Sequence, residues 1–196
     1  MFQKVAIDND FLQHLAGTHG DAEAVRDMIR RFFQDLEYEP LLHELVYRHE
    51  VILKSHPVIE RLLAEKDVRI APLFPATEPD AEEPILPSDA EKVWYEYLVE
   101  EIYKNFMGES YPCDVCSGWK AGKSLGEVHC VVMCFSMNLP CLLSDDKGAK
   151  ALRNIADSML GKKVSIFSRQ DCQTCLQGKL HNLKRGELRR LCHDSH

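Results

Sequence analysis

A chain of 196 residues with 45% hydrophobic content can build one full core, as one domain or one domain with an extension. Its formal net charge of −7 argues against a protein that coats nucleic acid in bulk. The charge is uneven: residues 1–144 carry 13 Lys/Arg against 25 Asp/Glu, residues 145–196 carry 11 against 6, so a polyanion is expected at the C-terminal quarter.

No apolar run reaches about 18 residues, so no membrane-spanning helix is expected. The N-terminus shows no charged-then-apolar leader, and a cytoplasmic location is expected. The eight cysteines are then read as buried thiols or metal ligands rather than disulfides.

In chain order, "KVAID" (4–8) reads as a buried strand ended by an acid. Asp10 is the expected N-cap of the helix that follows. "DAEAVRDMIRRFF" (21–33) has helical apolar spacing, with Asp21 as its N-cap. Pro40 is expected to open a helix through "PLLHELVYRHEVIL", and "HPVIERLLAE" reads as another. Residues 71–88 hold five of the nine prolines and four acids, which predicts an extended, exposed loop. Ser88 and Glu91 have capping-box spacing before a helix whose apolar face is Val93, Trp94, Tyr97, Leu98, Ile102 and Phe106. After a loop, Ser124 starts a helix, with Ser124 and Glu127 again at capping-box spacing. "PCLLS" (140–144) is a strand, "DKGAKALRNIADSML" a helix, "KVSIFS" (163–168) a strand, and residues 171–192 are mostly helical.

Strands alternating with helices predict a parallel sheet covered on both faces, with sites beyond the carboxyl ends of its strands. Asp8 ends one expected strand, and Asp145 and Asp146 follow another, so these acids share one edge. One aspartate suffices to cap the helix after residue 146, which leaves the other as a surplus. Glu127 begins the helix that feeds that strand. Glu44 reads as a helix position, solvated if taken alone, and His43 beside it as a surface residue.

Together, "KVAIDND", "PLLHELV" and "SLGEVHCVVMCFSMNLPCLLSDDKGAK" resemble the PIN-domain family, which includes ribonuclease toxins of bacterial toxin–antitoxin pairs. The likeness reaches both ends of residues 1–168, is most specific at 124–150, and has no counterpart between about 66 and 123. It departs from the family at Asn9, where a small hydroxyl residue is usual. The resemblance implies a three-layer α/β/α domain over residues 1–170, with an acidic Pro-rich insertion, and a C-terminal extension over 171–196. It places Asp8, Glu44, Glu127 and Asp146 on the family's acidic positions, with Asp145 adjacent. The implied function is a Mg²⁺- or Mn²⁺-dependent endoribonuclease, with an antitoxin or other protein as partner and a homodimer as one assembly.

Hard oxygen ligands suit these cations, and crowded carboxylates need a cation or protons. Two rivals stand beside this reading. "DND" also matches a DxD phosphohydrolase start, with Asp8 as nucleophile and Asp10 as acid/base. Alternatively the fold is a catalytically silent module that binds a protein. Two C-x₂-C pairs, Cys113/Cys116 and Cys172/Cys175, carry the thiolates for one structural Zn²⁺ that would link the extension to the loop at 113–116. Cys130, Cys134 and Cys141 read as core. Lys147, Lys150 and Arg153 are the expected phosphate contacts, and Lys184, Arg185, Arg189 and Arg190 a solvated helix face.

Overall fold

The computed structural model describes residues 2–54, 56–77 and 81–193. The chain begins with β1 (Gln3–Ile7), α1 (Asn9–Ala16), α2 (Ala22–Leu36) and β2 (Tyr38–His43). An irregular helical stretch follows: α3 (Glu44–Val46), a π-helical turn (Tyr47–Val51) and α4 (Ile52–Lys54). Next come α5 (Pro57–Ala64), β3 (Arg69–Ala71), α6 (Asp89–Met107) and α7 (Leu125–Ser136). The chain continues with β4 (Cys141–Leu143), α8 (Lys147–Leu160), β5 (Ser165–Phe167), α9 (Arg169–Leu176) and α10 (Arg185–Cys192).

The five strands form one sheet in the order β3-β2-β1-β4-β5, and every pairing is parallel. Helices α1, α2, α5, α9 and α10 pack as one layer, and α6, α7 and α8 as the other. The result is a three-layer α/β/α arrangement around a central parallel sheet. Between β1 and β4 the direction of winding reverses. Such a switch point leaves a crevice at the carboxyl ends of the two strands.

Two strands depart from the sequence expectation. Pro40 lies inside β2, opposite Val5 of β1, and does not open a helix. A proline is tolerated there because β3 pairs only with Leu41–His43, so Pro40 lies beyond that ladder. β3 is three residues long and too short for a pattern. Local apolar spacing in "PLLHELV" fits a helix, but Leu41 and Leu42 are buried as strand residues in the middle of the sheet.

The Pro-rich segment is not a loose loop. Leu73, Ile85 and Leu86 are buried, and Ile85 and Leu86 donate their amides to Pro72 and Leu73. Glu82 accepts from Lys4 Nζ (2.7 Å) and pairs with Arg69 (2.5 Å), fastening the segment to the sheet edge. Glu78, Pro79 and Asp80 of this expected loop lie outside the described residues. On α6 the buried stripe is Tyr95, Leu98, Val99, Ile102 and Tyr103, while Val93, Trp94 and Tyr97 are exposed. The expected face is therefore rotated toward Tyr95, whose hydroxyl has buried partners in His43 and His129.

One such partner set ties three elements together. The Leu45 amide donates to His43 Nδ1 (3.1 Å), so the His43 proton sits on Nε2 and points to Tyr95 Oη (2.8 Å). Tyr95 then donates to His129 Nδ1 (2.6 Å), and His129 Nε2–H donates to Tyr111 Oη (2.8 Å). Tyr111 in turn reaches the Cys113 sulfur. His43 and His129 are wholly buried, against the surface reading of His43. Burial pushes both imidazoles well below their ordinary pKa, His129 to about 3, so they stay neutral.

Residues 171–193 do not stand apart from this body. Leu188, Leu191 and Cys192 are buried, α10 packs on α1, α2 and α9, and Arg31 of α2 pairs with Glu187 (2.9 Å).

Replacing Tyr95 with Phe leaves His43 Nε2 and His129 Nδ1 buried without a hydrogen-bond partner. The expected cost is on the order of 3 kcal/mol, read as a lower denaturation midpoint with an unchanged slope. A loss below about 0.5 kcal/mol would show that the chain of bonds is not what holds β2, α6 and α7 together.

Candidate active site at the β1–β4 switch point

The Asp8 backbone amide donates to Leu143 O (2.9 Å), which sets the end of β1 against the end of β4. Its carboxylate is buried, accepting from the Asn9 amide (2.7 Å) and from Ser144 Oγ (3.0 Å). Asp8 is therefore the N-cap of α1, the place expected for Asp10. Asp10 is instead half-exposed in the first turn of α1, with Lys54 at 3.7 Å. Ser144 also accepts from the Asp146 amide (3.2 Å), and Asp146 caps α8 by accepting from Gly148 N (2.6 Å). One serine hydroxyl thus links the two aspartates across the crevice.

Glu127 lies in the first turn of α7, facing Asp8 and Asp146. It is not held by a capping box. Ser124 sits in the left-handed region (φ 50°) and its hydroxyl makes no cap bond, so Glu127 is free to turn toward the aspartates. A fourth acid belongs here that the sequence reading missed. Glu50 lies on the π-helical turn and packs against the α7 backbone: a Cβ added at Gly126 would fall 2.7 Å from its Oε1. π-helical turns recur at functional sites because the wider winding redirects side chains. A helical pattern drawn with regular winding gives no sign of this.

The acids behave as a crowded set. Burial, with Asp10 and Glu50 nearby, raises Asp8 to a pKa of about 7. Burial, then the charges of Asp8 and Asp146, raises Glu127 as well. Burial and Asp10 raise Glu50, against smaller opposing effects of Lys54 and the Asn9 side chain. Asn9 Nδ2 is buried beside these acids and faces the Glu50 carboxylate without making a close hydrogen bond.

Two expected members are engaged elsewhere. Glu44 heads α3 but accepts from the Leu73 amide (2.5 Å) and pairs with Arg48, so it anchors the Pro-rich segment. Asp145 accepts from the Arg169 amide (2.9 Å), from Arg169 Nε (2.5 Å) and from His14 Nδ1 (2.9 Å). Its pKa is lowered by these donors against the opposing effect of burial. The surplus aspartate is thus structural: it joins β4 to α9 and α1.

The metal expectations divide. Among the described residues no three His, Cys, Asp or Glu side chains are arranged to hold an ion. For zinc, the four expected thiolates lie in two separate places. Cys113 lies beside Tyr111, and Cys116 lies 3.5 Å from Glu96 of α6. Cys172 and Cys175 belong to α9, in the opposite layer. On that helix Cys172 is buried near Cys192, whereas Cys175 is exposed. "CDVCSG" is instead a turn: Asp114 accepts from Cys116 N (3.1 Å), Ser117 N (2.8 Å) and Ser117 Oγ (2.6 Å). Gly118 fits there because a Cβ would lie 2.6 Å from Cys113 Cβ. Cys130, Cys134 and Cys141 are core, as expected.

A cleft of about 810 Å³ opens beside the acids. Glu127, Glu50 and Asp10 line it, with His49, Trp119, Lys120, Lys123 and Lys54 among its other walls. Of the expected phosphate contacts, Lys147 and Lys150 are exposed on α8. Arg153 is not available in the same way: it donates to Val164 O (3.2 Å) and faces Asp157. Among the described residues, no helix is long and apolar enough to cross a membrane.

Asp8 is disfavoured as an anion in the fold, so without added cation it opposes folding as pH rises from about 4 to about 7, and by a constant amount above that. Asp8→Asn removes this opposition. The variant should melt above the parent, with the gap widening from about pH 4 to about pH 7 and reaching on the order of 3 kcal/mol. Both proteins share His43 and His129, so their titration cancels in the difference. A variant that melts lower than the parent at about pH 8 would make Asp8 a structural cap rather than a site acid.

The chain matches no protein-family model, no curated protein and no solved structure.

Proposed function

We propose that this chain is a divalent-metal-dependent phosphodiesterase acting on RNA, built on a PIN-like domain. The observation that carries the reading is the cluster of Asp8, Glu127, Asp146 and Glu50 at the switch point of a parallel sheet, with the pKa of at least three of them raised. Such acids are costly to keep together unless a cation joins them. Their chemistry fits Mg²⁺ or Mn²⁺, since every donor is a carboxylate oxygen. RNA as substrate rests on the resemblance of the β1, α7 and β4–α8 segments to PIN ribonucleases.

On this reading Asp8, Glu127, Asp146 and Glu50, which do not already converge on one point, would hold the cation by closing on it. When bound, it would lower the pKa of a water and polarise a phosphoryl oxygen. The residues of the chain have their own tasks. Glu127 or Glu50, raised in pKa, is suited to take the proton from an attacking water. Asn9 Nδ2, loosely held beside Glu50, can donate to a phosphoryl oxygen. Ser144 fixes Asp8 and Asp146 relative to each other. No side-chain nucleophile is required.

The test separates Glu50 from Glu44. Cleavage of a single-stranded oligoribonucleotide should depend on Mg²⁺ or Mn²⁺ and stop on adding a chelator. Glu50→Gln should lower kcat at least about 100-fold without lowering the melting temperature, since it removes a carboxylate of raised pKa. Glu44→Gln should keep the activity and lose stability, since it loosens the segment at Leu73. The opposite pattern, Glu44 essential and Glu50 dispensable, would return the site to the family arrangement and remove Glu50 from it.

A further inference from the structure

The cleft beside the carboxylates has a second chemical character that the hydrolytic reading does not use. His49 and Trp119 line it and stack nearly parallel, with ring centroids 5.0 Å apart and planes 9° apart. Trp119 also stacks on buried His129, at 5.9 Å and 17°. His129 cannot tilt freely, because both of its ring nitrogens are bonded, to Tyr95 and Tyr111. The chain enters Trp119 from the tight turn closed by Asp114, with Gly118 packed on Cys113. The aromatic surface is therefore held in place before any ligand arrives, which lowers the ordering cost of binding.

His49 and Glu50 are neighbours on the π-helical turn and both face the cleft. The same turn thus delivers a ring and a carboxylate to one space. Around them stand three cations: Lys120, exposed; Lys123, shared with Glu109 (2.7 Å); and Lys54, near Asp10. Carboxylates, flat rings and lysines in one cleft suit a ligand with both phosphates and bases. A duplex hides its bases in the stack, whereas a single strand offers them to aromatic side chains.

From this we infer that the His49–Trp119 pair is a base-binding subsite: one nucleobase of a single strand stacks on it, its flanking phosphates meet Lys120 and Lys123, and the neighbouring phosphodiester is set at the carboxylates. The inference rests on the phosphodiesterase reading and adds to it the residues that choose which bond is presented. Trp119 is a positioning residue here, not a catalytic one.

The experiment measures anisotropy of a fluorescein-labelled single-stranded oligoribonucleotide with Ca²⁺ in place of Mg²⁺. Trp119→Ala should weaken binding about tenfold, His49→Ala should weaken it as well, and Trp119→Phe should keep most of the affinity. The salt slope should stay the same in these variants. In Lys120→Ala/Lys123→Ala it should become shallower by roughly 0.7 per lost phosphate contact. If Trp119→Ala melts far below the parent, the Trp94→Phe protein decides, since its emission comes from Trp119 alone: the oligonucleotide should quench it. Parent-like binding by Trp119→Ala and His49→Ala, or emission unmoved by bound oligonucleotide, overturns the subsite and leaves the phosphodiesterase reading standing. A parent protein that neither binds nor cleaves the strand overturns both.

Discussion

Burial of the Asp8 carboxylate between the ends of β1 and β4 is the constraint on which this molecule turns. Charge is expensive away from water, and here two donors, the Asn9 amide and the Ser144 hydroxyl, offset only part of that cost. The remainder is visible as a raised pKa. Ordinary folding pressure would exchange such a residue for a cheaper cap. Its position at the switch point, with Glu127, Asp146 and Glu50 gathered around it, gives the cost a purpose: a deficit that an added cation or proton can relieve.

The surroundings serve that arrangement. The bonded series from Leu45 through His43, Tyr95 and His129 to Tyr111 joins β2, α6 and α7 across the core. Glu50 follows β2 and Glu127 heads α7, so this series fixes the two glutamates relative to each other. Every member has a partner, which is the condition under which a buried polar network stiffens a fold instead of weakening it. Asp145, bonded to Arg169 and His14, fixes the other wall by fastening β4 to α9 and α1.

Stability and site are drawn from the same residues. Asp8 and Asp146 cap helices and also face the crevice, and Ser144 joins them. Glu44 and Glu50 divide the labour on one irregular helical stretch. The first closes the Pro-rich segment onto the sheet, the second turns inward at the point where the helix widens.

Much of the frame was legible in the sequence. "KVAID", "PCLLS" and "KVSIFS" are apolar runs bounded by acids, turns and glycine, and they became β1, β4 and β5. Ser88 and Asp21 marked helix starts because a short polar side chain before a periodic run has one favourable use. Asp8, Glu127 and Asp146 could be placed at one edge, since strand ends and helix starts in a parallel sheet share it. Other features depended on contacts distant in the chain. β2 carries a proline and a helix-like pattern, and its strand state comes from pairing with β1. The rotation of α6 follows from partners waiting for Tyr95, and the burial of His43 from the same bond. The two C-x₂-C pairs have metal spacing, but the sheet stands between them, and α9 turns Cys172 to the core and Cys175 to solvent. Glu50 joined the site through a π-helical turn that no regular periodicity encodes. Local patterns determine where elements begin and which faces are apolar. Which polar groups meet was decided only when the layers closed, because a buried hydrogen bond or a crowded carboxylate takes its energy from neighbours that the local sequence does not name.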